Sequence, residues 1–366
     1  MSLSSAPRLA VIVPGPLRQA TGGYRYDARI VDGLRAIGWD VAVDELEGTF
    51  PEGDRPAREA LQTALDARQD GDEVVIDGLA LGNLGDVVTP HLGRLRITAL
   101  VHHPLGDEAG LDEAARRRLH VREIDVLERV HRLVVTSRFT ARRLVELGVT
   151  RTPIEVVEPG VAPAPLARGA WPSRAAEAPR LLCVATLTPR KGHRVMLEAL
   201  AMLRHRPWRL ECVGDDRRAP EESQAIRRDI MALGLQNRVS VAGCVNETAL
   251  ARCYHEADLV LVPSFYEGYG MVVTEALARG LPLVSTLGGA LRDTVPPEAA
   301  WRVEPGRSEA FAAAIAQWWS SEERDAKRRG AAHGRLALAG WERTVERFAD
   351  SLAGSPGVPA GVVDER

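Results

Sequence analysis

Two carboxylates eight positions apart, Glu267 and Glu275, lie in the run Ser264-Phe265-Tyr266-Glu267-Gly268-Tyr269-Gly270-Met271-Val272-Val273-Thr274-Glu275-Ala276-Leu277-Ala278-Arg279-Gly280. The apolar run Asp258–Pro263 precedes it, and Gly280 with Pro282 closes it, which is the signature of strand, turn and helix. Amides of Gly268 to Val272 then sit at a helix start, where the dipole favours anions. A carboxylate accepts from both hydroxyls of a vicinal diol, so one glutamate suits a ribose and the other a sugar. Read singly, Glu267 also fits a helix-start acid and Glu275 a solvated face residue. The aromatic residues favour a binding cleft. Of ten Phe and Tyr residues, Phe265, Tyr266 and Tyr269 share this loop, while Tyr24 and Tyr26 follow a second glycine-rich turn.

Lysine occurs at only two positions, Lys191 and Lys327, among 47 basic residues. Lys191 stands in Leu181-Leu182-Cys183-Val184-Ala185-Thr186-Leu187-Thr188-Pro189-Arg190-Lys191-Gly192-His193, after a strand and before a helix. Two cations at a helix start oppose its dipole, so helix stability gives no reason for them. A bound diphosphate supplies one, and a mobile ammonium suits a phosphate whose charge grows during reaction. A solvated basic turn is the alternative.

Near the amino terminus a strand leads through Pro14-Gly15 to Thr21-Gly22-Gly23-Tyr24. Paired glycines let backbone approach a phosphate or sugar, though they also make a plain turn, and they lack the spaced dinucleotide fingerprint. His102-His103-Pro104 ends another strand. Without a third ligand at metal spacing, these read as hydrogen-bonding or packing histidines. Helical arithmetic over Ala115–Arg132 places Arg118, Arg122, Arg129 and Arg132 on one face. That face suits solvent, or weak peripheral contact with anionic lipid.

These residues need elements to hold them. Short β-branched runs alternate with helical patterns in two series, from Leu9–Pro14 to Ile154–Val157 and from Arg180–Ala185 to Trp301–Val303. Such alternation implies doubly wound parallel α/β sheets, and 366 residues suit two domains. The expected boundaries are 1–160, a Pro/Ala/Arg-rich linker at 161–179, 180–336, a closing helical segment at 337–354, and a frayed Pro/Gly-rich tail at 355–366. The first 160 residues carry net charge −5 and the rest +2, so the second half is the better host for an anion. The whole-chain charge of −3 excludes nucleic-acid binding by bulk electrostatics. No apolar run approaches the roughly 18 residues of a membrane span, and Leu9–Val13 reads as a strand rather than a leader. Cys183, Cys212, Cys244 and Cys253 lack metal spacing and read as reduced core residues, consistent with a cytoplasmic protein.

Taken together, the motifs resemble the retaining GT-B glycosyltransferases of family four, the glycosyl transferases group 1, from Leu9 to about Ala349. The Glu267-to-Glu275 arrangement carries the resemblance. Pro189-Arg190-Lys191-Gly192-His193, Val157-Glu158-Pro159-Gly160-Val161, Thr136-Ser137-Arg138-Phe139-Thr140 and Gly22-Gly23 support it. It departs at Ala185-Thr186, where the family commonly has Gly-Arg, leaving Arg190 as the available second cation. The resemblance implies two Rossmann-like doubly wound domains facing across a cleft, with a nucleotide-sugar half second and a C-terminal helix crossing back to the first. It implies Lys191 and Arg190 on the diphosphate, Glu267 on the donor sugar and Glu275 on the ribose. Amides of Gly268, Tyr269, Gly270 and Met271 hold sugar and phosphate oxygens, and Gly22, Gly23 and His103 close from the other domain. The implied reaction moves a hexosyl group from a UDP- or GDP-sugar to a hydroxyl acceptor with retention, needing neither cofactor nor metal. A non-catalytic nucleotide-sugar scaffold, or another GT-B activity such as a phosphorylase, is the alternative. A glycosidase is disfavoured, because Glu267 and Glu275 share one loop-helix element rather than flanking a bond.

Overall fold

The computed structural model describes residues 6–168 and 178–354. Its strands form two six-stranded sheets, each entirely parallel, with order β2-β1-β3-β4-β5-β6 in one and β12-β11-β10-β7-β8-β9 in the other. The first sheet comprises β1 (Arg8–Pro14), β2 (Asp40–Leu46), β3 (Glu73–Asp77), β4 (Arg96–Val101), β5 (Arg132–Val135) and β6 (Ile154–Val156). The second comprises β7 (Arg180–Val184), β8 (Arg209–Val213), β9 (Val239–Gly243), β10 (Leu259–Val262), β11 (Leu283–Thr286) and β12 (Ala300–Val303). Central strands such as Leu259–Val262 are buried throughout, which is why they read as unbroken apolar runs.

The chain divides into two compact units, Met1–Gly160 with Trp341–Arg366, and Val161–Gly340. In the first, the amphipathic Trp341–Ala353 helix buries Val345, Phe348 and Leu352 in the core shared with β1 and the Gly22–Ala36 helix. Its approach to that helix is close: a Cβ on Gly33 would lie 2.2 Å from a Val345 methyl. In the second unit, residues 161–168 pair by backbone hydrogen bonds with Ala339, Arg279 and His255. Residues 169–177 of the expected linker and the tail at 355–366 lie outside the described residues.

Both sheets reverse strand order once, between β1 and β3 and between β7 and β10. At such a switch point the chains leaving two adjacent strands turn opposite ways, opening a crevice at their carboxyl ends.

Three local expectations are corrected. The arginines do not share a helix face. The Glu113–Leu127 helix stops before Arg129, and Arg132 begins β5, where it is 2% exposed and donates to the Gly354 carbonyl. Helical arithmetic fails there because the spacing crosses from a helix into a strand. Tyr24 and Tyr26 are not loop residues; both are buried in the first helix, with their hydroxyls on the Pro14 and Val157 carbonyls. Of the cysteines, Cys183 and Cys212 are core, whereas Cys244 is exposed and Cys253 half-buried.

Candidate active site

In the second unit the switch point holds the two stretches singled out by composition. After β7 the chain turns through a short 3-10 segment, Pro189–Lys191, into the His193–Met202 helix. Gly192 makes the turn at φ +69, and a Cβ there would sit 2.2 Å from the Pro263 carbonyl oxygen. After β10, Pro263 and Ser264 are buried and lead to Glu267; Gly270, at φ +91, then starts the Met271–Leu277 helix. β7 and β10 pair directly, so the two turns meet. The Phe265 amide donates to the Arg190 carbonyl at 2.7 Å, and Arg190 Nη1 returns a bond to the Tyr266 carbonyl at 2.8 Å. On the other side the turn after β11 closes in. A Cβ on Gly288 would lie 2.3 Å from the Phe265 carbonyl oxygen, and the Ala290 amide donates to the Glu267 carbonyl.

This packing fixes an ion cluster. Lys191 Nζ donates to both carboxylate oxygens of Glu267, at 2.6 and 2.7 Å. Arg190 Nη1 lies 3.5 Å from Glu267 Oε2, and the Ser264 hydroxyl donates to Oε1 at 2.7 Å. Glu267 is 7% exposed. Burial by itself raises its pKa, but Lys191 and then Arg190 outweigh it, holding the carboxyl below its ordinary value. Glu267 is therefore an ionised acceptor and not an acid. Arg190 and Lys191, adjacent in sequence, converge on one carboxylate because the 3-10 turn aims both at β10.

Glu275 is held separately. Its Oε2 accepts from the buried Tyr254 hydroxyl at 2.7 Å, and Arg279 lies over the Tyr254 ring at 4.5 Å while bonding the Glu275 carbonyl. Gly268 and Tyr269, half-buried, connect the two glutamates, with Met271 opening the helix. A separate polar groove lined by Arg180, Arg209, Glu211 and Arg238 lies at the amino ends of the strands, away from this cluster.

In the first unit, Gly22 and Gly23 are the opening residues of the Gly22–Ala36 helix, with Thr21 extended before them. His103 stands beside Glu108, Nε2 to Oε2 at 3.4 Å. The histidine at the glycine pair is its neighbour: a Cβ on Gly23 would come within 3.0 Å of the His102 ring. His102 Nε2 meets Asp27 Oδ1 at 3.0 Å and Asp77 Oδ2 at 3.5 Å, at the switch point between β1 and β3. Burial by itself lowers the His102 pKa, but Asp27 and then Asp77 reverse this and lift it to about 10. Asp27 is raised to about 7 by burial, against the pull of His102. These three are the one group among the described residues whose ligand atoms cluster as a metal site would need, all within 4.8 Å of one another. Their 3.0 and 3.5 Å separations on a single Nε2 also suit direct hydrogen bonding and ion pairing. Sequence reading misses Asp27 and Asp77. Continuing the strand through Leu79 hides Asp77, which in fact ends β3 and caps the next turn through the Leu79 amide.

The chain is similar to known proteins. Residues 172–334 match the family model described as glycosyl transferases group 1. The D-inositol 3-phosphate glycosyltransferase of Kineococcus radiotolerans is 35% identical over 191 residues, covering 47% of this chain and 43% of that protein. The MMP alpha-(1->4)-mannosyltransferase of Mycolicibacterium hassiacum is 28% identical over 275 residues, covering 70% and 64%. The chain thus matches about half to two thirds of these curated relatives' length. Sucrose-phosphate synthase from Thermosynechococcus elongatus superposes with a TM-score of 0.79 at 22% identity, covering 94% of this chain and 98% of that one. Anabaena HepE in complex with UDP-glucose does so with a TM-score of 0.74 at 17% identity, covering 94% and 99%. The fold is GT-B, and residues 172–334 match the glycosyl transferases group 1.

Proposed function

We propose that this protein moves a hexosyl group from a nucleoside diphosphate sugar, UDP- or GDP-linked, to a hydroxyl acceptor with retention of configuration. The observation that carries the proposal is the contact of Lys191 with Glu267 at the switch point of the unit that matches the family. That contact joins a cation for the leaving diphosphate, on the turn after β7, to a carboxylate for sugar hydroxyls, on the turn after β10.

In this reading Lys191 and Arg190 neutralise the diphosphate as its bond to the anomeric carbon breaks. Amides of the Gly268–Met271 segment take sugar and phosphate oxygens, and Glu275 takes the ribose hydroxyls beside Tyr254. The acceptor oxygen bonds the anomeric carbon on the face the diphosphate leaves and gives its proton to the departing phosphate oxygen, so no covalent enzyme intermediate forms. Glu267 fits that role: Lys191 engages both its oxygens, which suits a fixed hydrogen-bond acceptor better than a nucleophile. The protein's own cations supply the charge neutralisation that a metal provides elsewhere. The reading places the protein in the cytoplasm; no helix among the described residues is long and apolar enough to cross a membrane. Peripheral contact with anionic lipid, if made, would use exposed Arg118 and Arg122 on the Glu113–Leu127 helix.

The test is product formation from UDP- and GDP-hexoses with a panel of sugar, polyol and lipid hydroxyl acceptors, with and without EDTA, read by NMR at the anomeric centre. Transfer with retained configuration that survives EDTA supports the proposal. Inverted product or loss with EDTA refutes the corresponding part, and nucleotide-sugar binding without any transfer indicates a scaffold.

A further inference from the structure

We propose that Asp27 and Asp77 are positioning residues that together hold His102 as an imidazolium, so that it serves the transfer as a fixed N–H donor and not as a base. The role in transfer rests on the function proposed above; the charge state does not.

Burial supplies the first argument. Asp27 is 1% exposed and Asp77 5%, and both carboxylates point at the same His102 nitrogen. Two buried carboxylates beside a neutral ring would leave negative charge in a low-dielectric site with nothing to offset it. Asp27 Oδ2, buried without a hydrogen-bond partner, makes that worse. A proton on the imidazole removes most of the imbalance. The groups acting on the pair from each neighbouring element agree with this. The first helix contributes Asp27 and Tyr26, whose phenol is pushed well up by burial and then by Asp27, so it stays neutral. β3 contributes Asp77. From the C-terminal helix, Arg347 acts on Tyr26 and bonds the Val156 carbonyl. His102 is thus the cation of the cluster.

Geometry supplies the second. The ring stands edge-to-face with Tyr26 at 5.6 Å and lies against Gly23, where a Cβ would touch it at 3.0 Å. Nε2 is committed inward, and among the described residues no partner engages Nδ1. The side chain keeps 20% of its surface exposed, at the carboxyl end of β4 beside the switch point. A charged ring clamped at one nitrogen presents the other N–H in a fixed direction, as a donor for a hydroxyl or phosphate oxygen needs.

The test is nitrogen NMR of histidine in the full-length unliganded protein, with His102→Gln assigning the resonance. His102 should carry protons on both nitrogens at pH 8, and Asp27→Asn, nearly isosteric, should bring its titration down by at least about one pH unit. In transfer assays Asp27→Asn should acquire an alkaline limb, losing about tenfold per pH unit above that new midpoint, while wild type stays flat to pH 8. A His102 that is neutral at pH 7 in wild type, or unmoved by Asp27→Asn, overturns the proposal. So does zinc that shifts the same resonances at stoichiometric concentration, which would make the cluster a metal site. Absence of any transfer would count against the proposed function alone, because the NMR result decides the charge state without it.

Discussion

Glu267 has its charge settled by neighbours 76 positions back in the chain, and that pairing dictates what each residue can do. Under the proposed function, Lys191→Ala removes a preorganised cation from the leaving group and should lower turnover by about 10²–10³. Glu275→Ala keeps that cation and should mainly raise the donor KM, because its partner Tyr254 lies apart from the Lys191 cluster. Steady-state kinetics on the two variants separates the roles, and equal, unaltered constants would refute the assignment. Much of this cluster is legible in the sequence. The scarcity of lysine marks Lys191, and the Glu267-to-Glu275 spacing across a strand–turn–helix marks the carboxylates. The choice between His102 and His103 is not legible. Consecutive residues at a strand end point opposite ways, and only the placement of Asp27 and Asp77 shows which one turns inward.

At the scale of elements, the site depends on turns that tolerate no side chain. Gly192 combines a left-handed φ of +69 with a 2.2 Å approach to the Pro263 carbonyl, so it joins the β7 turn to the β10 turn. Gly192→Ala should destabilise the protein by more than about 1 kcal/mol and weaken nucleotide binding as Arg190 and Lys191 lose their aim. Chemical denaturation and nucleotide titration of the variant check both. Central strands such as Leu259–Val262 are legible as β-branched runs, because parallel strands covered on both faces must be apolar throughout. Element ends are less so. Arg132 reads as the last arginine of a helix face, yet it opens β5 with its guanidinium buried. Only tertiary packing, including the Gly354 carbonyl it reaches, distinguishes the two.

For the whole molecule, the first unit is completed by residues from the far end of the chain. Phe348 is fully buried in the Trp341–Ala353 helix, in one core with β1 and the first helix. Phe348→Ala should cost about 3–5 kcal/mol, and calorimetry should show the loss as a lowered melting temperature. The same unit should respond to pH. His102 is raised to about 10 in the fold from an unfolded value of 6.5, so it binds a proton that the unfolded chain releases. Its stabilisation is complete below pH 6.5 and lost as pH rises through about 10. Asp27, raised to about 7 from 3.8, adds a decline of the same sign between those values. Melting temperature should therefore fall from pH 7 to 10, and His102→Gln should flatten that slope. The long-range closure by the C-terminal helix is visible in sequence only through family resemblance; periodicity marks the helix but not the surface it covers.

Under the proposed function, Lys191 and Glu267 form the nucleotide-sugar pole of this chain. Thermal stability of wild type and Lys191→Ala against UDP, GDP, ADP and their hexosyl derivatives tests it most directly. A nucleotide at 100 times its dissociation constant should stabilise wild type by about 2.7 kcal/mol, and Lys191→Ala should lose most of that gain. A folded wild type that no nucleotide stabilises, or a Lys191→Ala variant stabilised equally, would contradict the claim.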